Sequence, residues 1–279
     1  MIDMHSHILY GVDDGSGSRS ETIEMLNIAV EEGIETIVAT PHYIIGCNNY
    51  TKEELIGRYN DILDLVKENK IAIDIKLGNE LFADSMLPQK VIDGDCFTLA
   101  GTDYVLLEFS KRTTKQIIEN LIYQLNLNGY KVIIAHPERT FDIKGDLEIL
   151  IELMKKGCLF QMNTGSLTGV YGDKVYKAAL EMLDRNMIHI VSTDAHTNRR
   201  RSPKLRTAYK IISDRCGQDN ADKLCNDHAR QVLNNETIEY VEPEIIKNIK
   251  WFRLNMMLAM KFKKTGYEGV HRWKMNMKK

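Results

Sequence analysis

The chain has 279 residues, of which 43% are apolar and 27% are charged, and its formal net charge is −2. This composition supplies enough apolar side chains for a large core and excludes a disordered or fibrous chain. The net charge is too small for a general nucleic-acid-binding surface, so we expect no nucleic-acid partner.

Seven short apolar runs predict strands, and amphipathic segments typical of helices separate most of them. The second of these helices is predicted to begin at Thr51, where Thr51 and Glu54 have the spacing of a capping box, and Ser18 with Glu21 opens the first in the same way. The strand candidates lie near residues 2–4, 36–40, 71–77, 104–109, 131–135, 159–163 and 188–193.

Alternating strands and helices indicate a mainly parallel sheet. Seven repeats without an obvious second domain favour an α/β fold in which the sheet closes into a distorted (β/α)7 TIM-like barrel. The length is compatible with one such unit, which we place at residues 1–243. Residues 244–279 carry ten Lys and Arg against two Glu and are predicted to form a basic amphipathic helix and tail.

The five cysteines are scattered and include no C-x-x-C pair, which favours neither a disulfide framework nor a zinc ribbon. No apolar stretch approaches the roughly 18 residues of a membrane span. The N-terminus also lacks a basic segment followed by a hydrophobic one. These features predict a cytoplasmic protein.

Two pairs of polar residues frame the series of strands. Residues i and i+2 of a strand point to the same side, so His5 and His7 can face one metal ion together, as can Asp194 and His196. If the sheet closes, the first and last strands become neighbours. Closure would therefore bring the two pairs into one cluster.

The strands between them end in, or just before, further candidate ligands, at the end of the barrel where enzymes of this fold carry their active sites. A loop aspartate after strand 1 completes the set, and Asp13 could replace Asp14 there. The added residues are Asp14, His42, Glu80, Glu108 and His136. A single histidine or carboxylate is more often structural, so the prediction depends on the whole ordered set. The other histidines, His189, His228 and His271, are predicted to be structural or solvent-exposed.

Five imidazoles and four carboxylates, one of them bridging, could hold two or three ions. Mixed nitrogen and oxygen donors without thiolate suit Mn, Zn or Fe. Neighbouring metals can lower the pKa of a bridging water and clamp a phosphoryl group, so the expected reaction is direct attack by metal-bound hydroxide.

Arginines near these ligands could read the charge of a phosphorylated substrate, because guanidinium groups bind phosphate oxygens in a bidentate manner. Arg139 follows His136 by three residues. Arg199, Arg200 and Arg201 follow His196, and this run is equally compatible with a solvated surface. The C-x5-R loop of thiol-based phosphatases is missing from the sequence, as are the P-loop, H-E-x-x-H and G-x-S-x-G motifs.

Four ordered segments resemble the polymerase and histidinol phosphatase (PHP) superfamily and, within it, the bacterial capsular and exopolysaccharide protein-tyrosine phosphatases. They are Met4-His5-Ser6-His7-Ile8-Leu9-Tyr10-Gly11-Val12-Asp13-Asp14-Gly15, Thr40-Pro41-His42-Tyr43, Ala135-His136-Pro137-Glu138-Arg139 and Ser192-Thr193-Asp194-Ala195-His196. The likeness covers roughly residues 1 to 240.

The resemblance implies a PHP barrel with a trinuclear centre, usually loaded with manganese. By position, it assigns His5, His7, Glu80 and Asp194 to one metal, Glu80 as a bridge to a second held by Glu108 and His136, and Asp14, His42 and His196 to the third. Arg139 and Arg201 match phosphate-binding arginines. The implied substrate is phosphotyrosine in the C-terminal tail of a membrane-associated bacterial tyrosine kinase that controls polysaccharide assembly.

Two alternatives remain open at this stage. One is a PHP phosphoesterase acting on a small molecule such as histidinol phosphate. The other is a metal-stabilised protein that binds a phosphorylated kinase tail without hydrolysing it. In the C-terminal segment, an apolar face could dock on a kinase or an anionic membrane, although a helix packed on the barrel and followed by a basic tail is the preferred interpretation. That face comprises Ile245, Ile249, Phe252, Met256 and Met260, with Lys247, Lys250 and Lys261 elsewhere.

Overall fold

The chain folds as a ring of short parallel strands surrounded by helices, as a computed structural model shows for residues 1–48, 50–239 and 241–243. All seven predicted strands are present. Those described are β1 (Ile2–Ser6), β2 (Thr36–Ala39), β3 (His42–Tyr43), β4 (Asp74–Leu77), β5 (Glu80–Phe82), β6 (Tyr104–Glu108), β7 (Lys131–Ala135), β8 (Leu159–Asn163) and β9 (Ile190–Ser192).

Two short strands that the sequence does not predict, β3 and β5, follow the second and third predicted strands, and the ring is divided into two sheets of order β1-β2-β4 and β3-β5-β6-β7-β8-β9. Pro41 separates β2 from β3, and proline has no N–H to donate to a strand ladder. Gly78 separates β4 from β5 where the chain passes close to Leu99, since a Cβ at Gly78 would lie 2.9 Å from Leu99 Cδ2. The short strands after Pro41 and Gly78 begin at His42 and Glu80, both of which are candidate ligands.

The ring closes between the first and last strands, as the sequence predicts. Ser6 and Ala195 form a parallel bridge. Asp194 N–H donates to the carbonyl of His5 at 2.8 Å, and His7 N–H donates to that of Ala195, also at 2.8 Å. The distorted barrel is therefore confirmed, and its closure joins the two framing pairs of candidate ligands.

The inner face of the barrel changes from apolar to polar along the strands. Leu106 of β6 and Leu159 of β8 belong to a small buried cluster that includes Ile2, Met4, Ile133 and Ile190. Alternate strand residues share a face, so Glu108 follows Leu106, and Gln161 with Asn163 follow Leu159, on the same side. The lower part of the barrel is thus a packed core, and its carboxyl end carries the polar groups.

Helices cover the outside of the strands, and their apolar faces join a larger buried cluster with the outward-facing strand residues. The helices described are α1 (Arg19–Glu31), α2 (Lys52–Glu68), α3 (Leu87–Ile92), α4 (Lys115–Leu127), α5 (Pro137–Thr140), α6 (Ile143–Lys155), α7 (Thr164–Leu167), α8 (Asp173–Asp184), α9 (Arg206–Cys216), α10 (Gln218–Asp222) and α11 (His228–Leu233), with a 3-10 turn at Leu99–Gly101 and a π turn at Lys223–Asp227.

The two predicted helix starts differ in detail. Thr51 and Glu54 form the complete capping box in front of α2. Ser18 accepts the backbone N–H of Glu21 in front of α1, but the Glu21 carboxylate accepts from Gly17 N–H instead of from Ser18. The first helix therefore has half of the predicted box.

Among the residues described, no helix is both long and apolar enough to cross a membrane. The predicted C-terminal helix, its apolar face and His271 lie outside the described residues. The domain boundary at residue 243 therefore stays a prediction.

Candidate metal centre

All nine predicted ligands meet at the carboxyl end of the barrel. Their nitrogen and oxygen atoms form three overlapping groups in which a metal ion could be held, each with ligand atoms within 4.8 Å of one another. The groups are His5, His7, Glu80 and Asp194; His7, Asp14, His42 and His196; and His42, Glu80 and Glu108. His136 joins the third group, because its Nε2 lies 2.9 Å from Glu80 Oε1 and 3.7 Å from Glu108 Oε1.

The first group is completely buried and lies where the barrel closes. His5 Nε2 and His7 Nε2 are 3.2 Å apart. Glu80 Oε2 lies 3.2 and 3.3 Å from these two nitrogens, and Asp194 Oδ1 lies 3.4 and 3.5 Å from them. Four donor atoms from three parts of the chain therefore face one small space.

The second group opens toward solvent. Asp14 Oδ1 lies 3.4 Å from His42 Nε2 and 3.3 Å from His196 Nε2, and the Asp14 side chain is 64% exposed. A cavity of about 340 Å³ borders this group and is lined by Val12, Asp13, Asp14, His42, Ile44, Cys47, Asn48 and Tyr50. The Asp14 side of the cluster is therefore accessible from solvent.

Glu80 occupies the centre of the whole arrangement. Its Oε1 faces His136, while its Oε2 faces His5, His7 and His42, with His42 Nδ1 at 3.0 Å. A carboxylate that presents its two oxygens to different groups of imidazoles has the geometry of a bridging ligand.

Hydrogen bonds behind three of the histidines orient their rings. His5 Nδ1 lies 2.9 Å from Gln161 Oε1, His7 Nδ1 lies 2.6 Å from Asp13 Oδ2, and His196 Nδ1 lies 3.0 Å from the carbonyl oxygen of Asp194. Each acceptor holds a proton on Nδ1. The lone pair of Nε2 is thereby left for the cluster, as is usual for metal-binding histidines.

The two neighbouring aspartates have different surroundings. Asp13 Oδ1 accepts the backbone N–H of Gly15 at 2.9 Å, and its Oδ2 accepts that of His42 at 2.9 Å in addition to contacting His7. Asp14 instead presents Oδ1 to the imidazoles of the second group. The geometry therefore favours Asp14 as the ligand and gives Asp13 the role of orienting His7.

The charges of the cluster depend strongly on one another. Burial raises the pKa of Glu80, but neighbouring imidazoles, above all His5, outweigh this effect and leave the pKa well below its usual value. Burial lowers the pKa of His42, yet Asp14 and Glu80 raise it to about 10. The carboxylates therefore require positive charge beside them. Protonated imidazoles can supply this charge, and bound metal ions would supply it equally well.

The donor set fits divalent metal ions. It combines imidazole nitrogens with carboxylate oxygens and includes no thiolate. In the described part of the chain, the buried Nδ1 atom of His136 lacks a hydrogen-bond partner, and that of His42 lies 3.0 Å from Glu80 Oε2 without the geometry of a hydrogen bond. Buried polar atoms are normally paired, so unpaired nitrogens beside a carboxylate cluster are consistent with a cation site.

Two arginines lie against the same cluster. Arg139 Nη1 and Arg201 Nη2 each donate to Asp194 Oδ2 at 2.8 Å, and Asn163 Nδ2 donates to it at 2.6 Å. Asp194 therefore turns one oxygen to the histidines and the other to the arginines. Both guanidinium groups are partly exposed, with 30% and 27% of the side chain accessible.

Arg201 is the member of the arginine run that reaches the cluster. Arg200 donates from Nη2 to the carbonyl oxygen of Val170 at 2.6 Å, and Arg199 is exposed. The structure thereby separates three residues that the sequence leaves equivalent.

Two of the cluster residues have left-handed backbones without being glycine. His136 follows β7 with φ +31°, and Asp194 follows β9 with φ +51°. Such conformations are costly for residues with a Cβ and often occur at functional sites. Here they let both side chains turn into the cluster directly after a strand ends.

Gln161 and Asn163 are site residues that the sequence analysis does not single out. They interrupt an otherwise apolar strand at positions i and i+2, the same spacing that identifies His5 and His7. Polar residues at alternate positions of a buried strand are therefore the signal that could have found them. His189 and His228 have structural contacts instead: Phe160 N–H donates to His189 Nδ1 at 3.0 Å, and His228 Nδ1 donates to the His189 carbonyl at 2.8 Å.

Comparison with known proteins identifies relatives over nearly the whole described chain. Residues 1–234 match the family model for capsular polysaccharide synthesis, CpsB/CapC. The tyrosine-protein phosphatase YwqE of Bacillus subtilis is 33% identical over 256 residues, which cover 90% of this chain and 99% of the relative. The tyrosine-protein phosphatase CpsB of Streptococcus pneumoniae is 30% identical over 243 residues, or 85% of this chain and 100% of the relative.

The fold also matches a solved structure from the work on YwqE of Bacillus subtilis and CpsB of Streptococcus pneumoniae, which are described as unique metal-dependent tyrosine phosphatases. The TM-score is 0.83 at 31% sequence identity, and the match covers 89% of this chain and 100% of that chain. Sequence and fold therefore give the same relatives.

Proposed function

Since the chain belongs to the capsular polysaccharide synthesis family CpsB/CapC, we propose that it is a metal-dependent protein-tyrosine phosphatase. The observation that carries the proposal is the convergence of five imidazoles, four carboxylates and two arginines at one end of the barrel, where Asp14 and His42 line an open cavity. Hydrolysis of a phosphate monoester needs both positive charge around the phosphoryl oxygens and an activated water, and this arrangement can supply both.

We assign the nine predicted ligands to three divalent ions, with manganese as the expected metal and zinc or iron as alternatives. His5, His7, Glu80 and Asp194 would hold the first ion. Glu80 would bridge to a second ion bound by Glu108 and His136, and Asp14, His42 and His196 would hold the third. When bound, the ions would lower the pKa of a coordinated water and neutralise charge on the phosphoryl group.

The arginines would bind and orient the substrate. Arg139 and Arg201 both direct a guanidinium group at Asp194 from the partly exposed side of the cluster. A phosphate monoester entering from that side would meet two charge-assisted donors, which suit phosphate oxygens. Asp194 would hold both guanidinium groups at a fixed distance from His5 and His7, which face its other oxygen.

Phosphotyrosine is a favourable substrate for such a site. Its leaving group is a phenol with a pKa of about 10, which leaves more readily than an alkoxide and requires less help from a general acid. The open side of the cluster, at Asp14 and the adjoining cavity, leaves room for a phosphotyrosine that is part of a protein.

The proposed biological substrate is the phosphotyrosine-containing tail of a bacterial tyrosine kinase that regulates capsular or exopolysaccharide synthesis, and the proposed location is the cytoplasm. The family to which the chain belongs, that of capsular polysaccharide synthesis, supports the proposed substrate.

Turnover of three substrates tests the proposal. The metal-replete protein should release phosphate from a phosphotyrosyl peptide with a kcat/KM well above that for histidinol phosphate, while the matching phosphoseryl peptide serves as a control. Preference for histidinol phosphate would replace the proposed substrate by a small molecule. Tight binding of the phosphotyrosyl peptide without phosphate release would instead indicate a phosphopeptide-binding protein.

A further inference from the structure

The aromatic ring of Tyr171 lies against one of the two site arginines. The central guanidinium carbon of Arg139 is 4.5 Å from the centroid of the Tyr171 ring. Tyr171 lies in the turn between α7 and α8, outside the ordered motifs that supply the ligands. A guanidinium at this distance from an aromatic face is attracted by the ring quadrupole, more strongly where water is partly excluded.

The Tyr171 ring packs directly against Gly165. A Cβ built on Gly165 would lie 2.7 Å from Tyr171 Cε2 and 3.2 Å from Cζ. The ring therefore occupies the space that any other side chain at position 165 would need. Gly165 has no unusual backbone conformation, so its lack of a side chain, and not its flexibility, is what the contact requires.

Hydrogen bonds tie the turn that carries Tyr171 to the rest of the site. Val170 N–H donates to the carbonyl of Gly165 at 2.8 Å, and Arg200 Nη2 donates to the carbonyl of Val170 at 2.6 Å. The turn is thus joined to the run that contains Arg201. Arg201 also interacts with the Tyr171 hydroxyl group, both through its charge and through a side-chain hydrogen bond.

The segment that carries Arg139 is anchored to the end of β8 and to α7, the helix that precedes this turn. Its neighbour Glu138 is buried, and Glu138 Oε1 accepts from the backbone N–H of Asn163 at 3.0 Å and from Ser166 Oγ at 2.6 Å. The guanidinium and the ring are therefore presented by two elements that are bonded to each other. Their contact is part of the built site and does not depend on two independent loops.

We propose that the Tyr171 ring is a positioning residue that holds the Arg139 guanidinium in the orientation needed for phosphate binding. This inference rests on the proposed function, in which Arg139 contacts the phosphoryl group. A long arginine side chain loses rotamer freedom when it binds a ligand, and ordering it beforehand reduces that cost. One hydrogen bond to Asp194 leaves the guanidinium able to rotate, and the ring face restricts this rotation.

The role belongs to the ring and not to the hydroxyl group, because the attraction comes from the aromatic face. Tyr171→Phe keeps that face and loses only the hydroxyl group that contacts Arg201, so it should be impaired much less than a variant that lacks the face. Tyr171→Leu keeps apolar bulk but removes the face. This variant should raise KM for a phosphotyrosyl peptide by about 3- to 30-fold, in line with the strength of such contacts, and should change kcat less.

The metal-loaded full chain is the material for the test. Steady-state kinetics on the peptide give KM and kcat, and calorimetric titration with inorganic phosphate gives a binding constant that does not depend on turnover. We expect phosphate affinity to fall in Tyr171→Leu by the same factor by which KM rises, while the bound metal per chain stays as in the wild type.

Gly165→Ala disturbs the contact between the Tyr171 ring and Arg139 in a second way. The added Cβ should push the ring away from Arg139 and raise KM in the wild-type background. In the Tyr171→Ala background the same change should have little further effect, because the ring that it displaces is no longer present. Coupling between the two substitutions would support the proposed contact, and full additivity would contradict it.

Several results would overturn the inference. If Tyr171→Leu binds phosphate and peptide like the wild type, or if Tyr171→Phe is as impaired as Tyr171→Leu, the ring does not position Arg139. These results leave wild-type phosphatase activity in place and so concern Tyr171 alone. Absence of wild-type turnover on phosphotyrosyl peptide would instead refute the proposed function, and the inference with it.

Discussion

Asp13 Oδ2 lies 2.6 Å from Nδ1 of His7, and this contact turns Nε2 of the buried imidazole toward the candidate metal centre. The same carboxylate accepts two backbone N–H groups, one of them that of His42, which is itself a candidate ligand. A residue that holds no metal in our assignment thus orients the ring of one proposed ligand, His7, and bonds the backbone of another, His42.

Asp13→Ala should therefore weaken metal binding by about 10- to 100-fold, the usual effect of removing a carboxylate behind a histidine ligand. Competition between the protein and a chelator measures the change. Asp64→Ala is the matched control, since Asp64 is an exposed acid on α2. Equal metal affinity in Asp13→Ala and the control would mean that the contact does not orient a ligand.

Glu80→Gln should remove most of the phosphatase activity, by more than about 100-fold, and reduce the metal bound per chain. The carboxamide keeps the shape of the side chain but loses the charge that faces four imidazoles. Activity and elemental analysis are measured together, and circular dichroism reports on the fold. His136→Ala should give the same outcome. Near-normal turnover by either folded variant would rule out the assigned centre.

Removal of metal should abolish turnover and lower the melting temperature. Ions that bind only the folded protein stabilise it by mass action, by about 2.7 kcal/mol per site when free metal is 100 times Kd. Melting curves recorded after chelation, and again after addition of Mn²⁺, Zn²⁺ or Fe²⁺, measure the effect. An unchanged melting temperature in fully active, chelated protein would show that the cluster does not depend on metal.

Arg201→Ala should raise KM for phosphotyrosyl peptide by about 10- to 100-fold, the range expected for loss of a hydrogen bond between charged groups. Arg199→Ala is the control from the same run, because Arg199 is exposed while Arg201 contacts Asp194. Steady-state kinetics on both variants test the difference. A larger effect of Arg199→Ala than of Arg201→Ala would mean that Arg199, and not Arg201, contacts the phosphate.

The titration of His189 should lower the free energy of unfolding in mild acid. Burial, assisted by the nearby charge of His228, lowers the pKa of His189 to about 4. The unfolded chain takes up a proton near pH 6.5 while the folded chain does not, so the free energy of unfolding falls as the pH decreases from 6.5 toward 4.

Denaturant titrations at pH 7.5 and pH 5 isolate this contribution by comparing the wild type with His189→Asn. Asparagine can still accept the N–H of Phe160 through its side-chain oxygen, as His189 Nδ1 does. Between the two pH values the wild type should lose about 2 kcal/mol more than the variant. Equal losses would mean that His189 is protonated in the folded protein.

The strands, the barrel and the ligand set could be predicted because they depend on local patterns. Short apolar runs indicate buried parallel strands, and a polar residue at the end of each run must lie at the same edge of the sheet as the others. Closure then follows from the number of repeats. These rules were sufficient to bring His5 and His7 together with Asp194 and His196.

Details that depend on the path of single side chains could not be predicted. Asp13 and Asp14 are identical in type and adjacent in the chain, and only the turn toward Gly15 and His42 separates their roles. His42 and Glu80 begin short additional strands after the breaks at Pro41 and Gly78. The pattern predicts β2 and β4 but not the short strand that follows each of them.

By itself the sequence therefore determined which residues lie at the mouth of the barrel, since residue order and hydrophobic periodicity fix strand ends. Tertiary structure alone decided which atoms face one another: the nitrogen of each imidazole, the one arginine of three that meets Asp194, and the ring of Tyr171 beside Arg139. Such contacts join residues far apart in the chain, and their geometry depends on rotamers and backbone turns that no local pattern encodes.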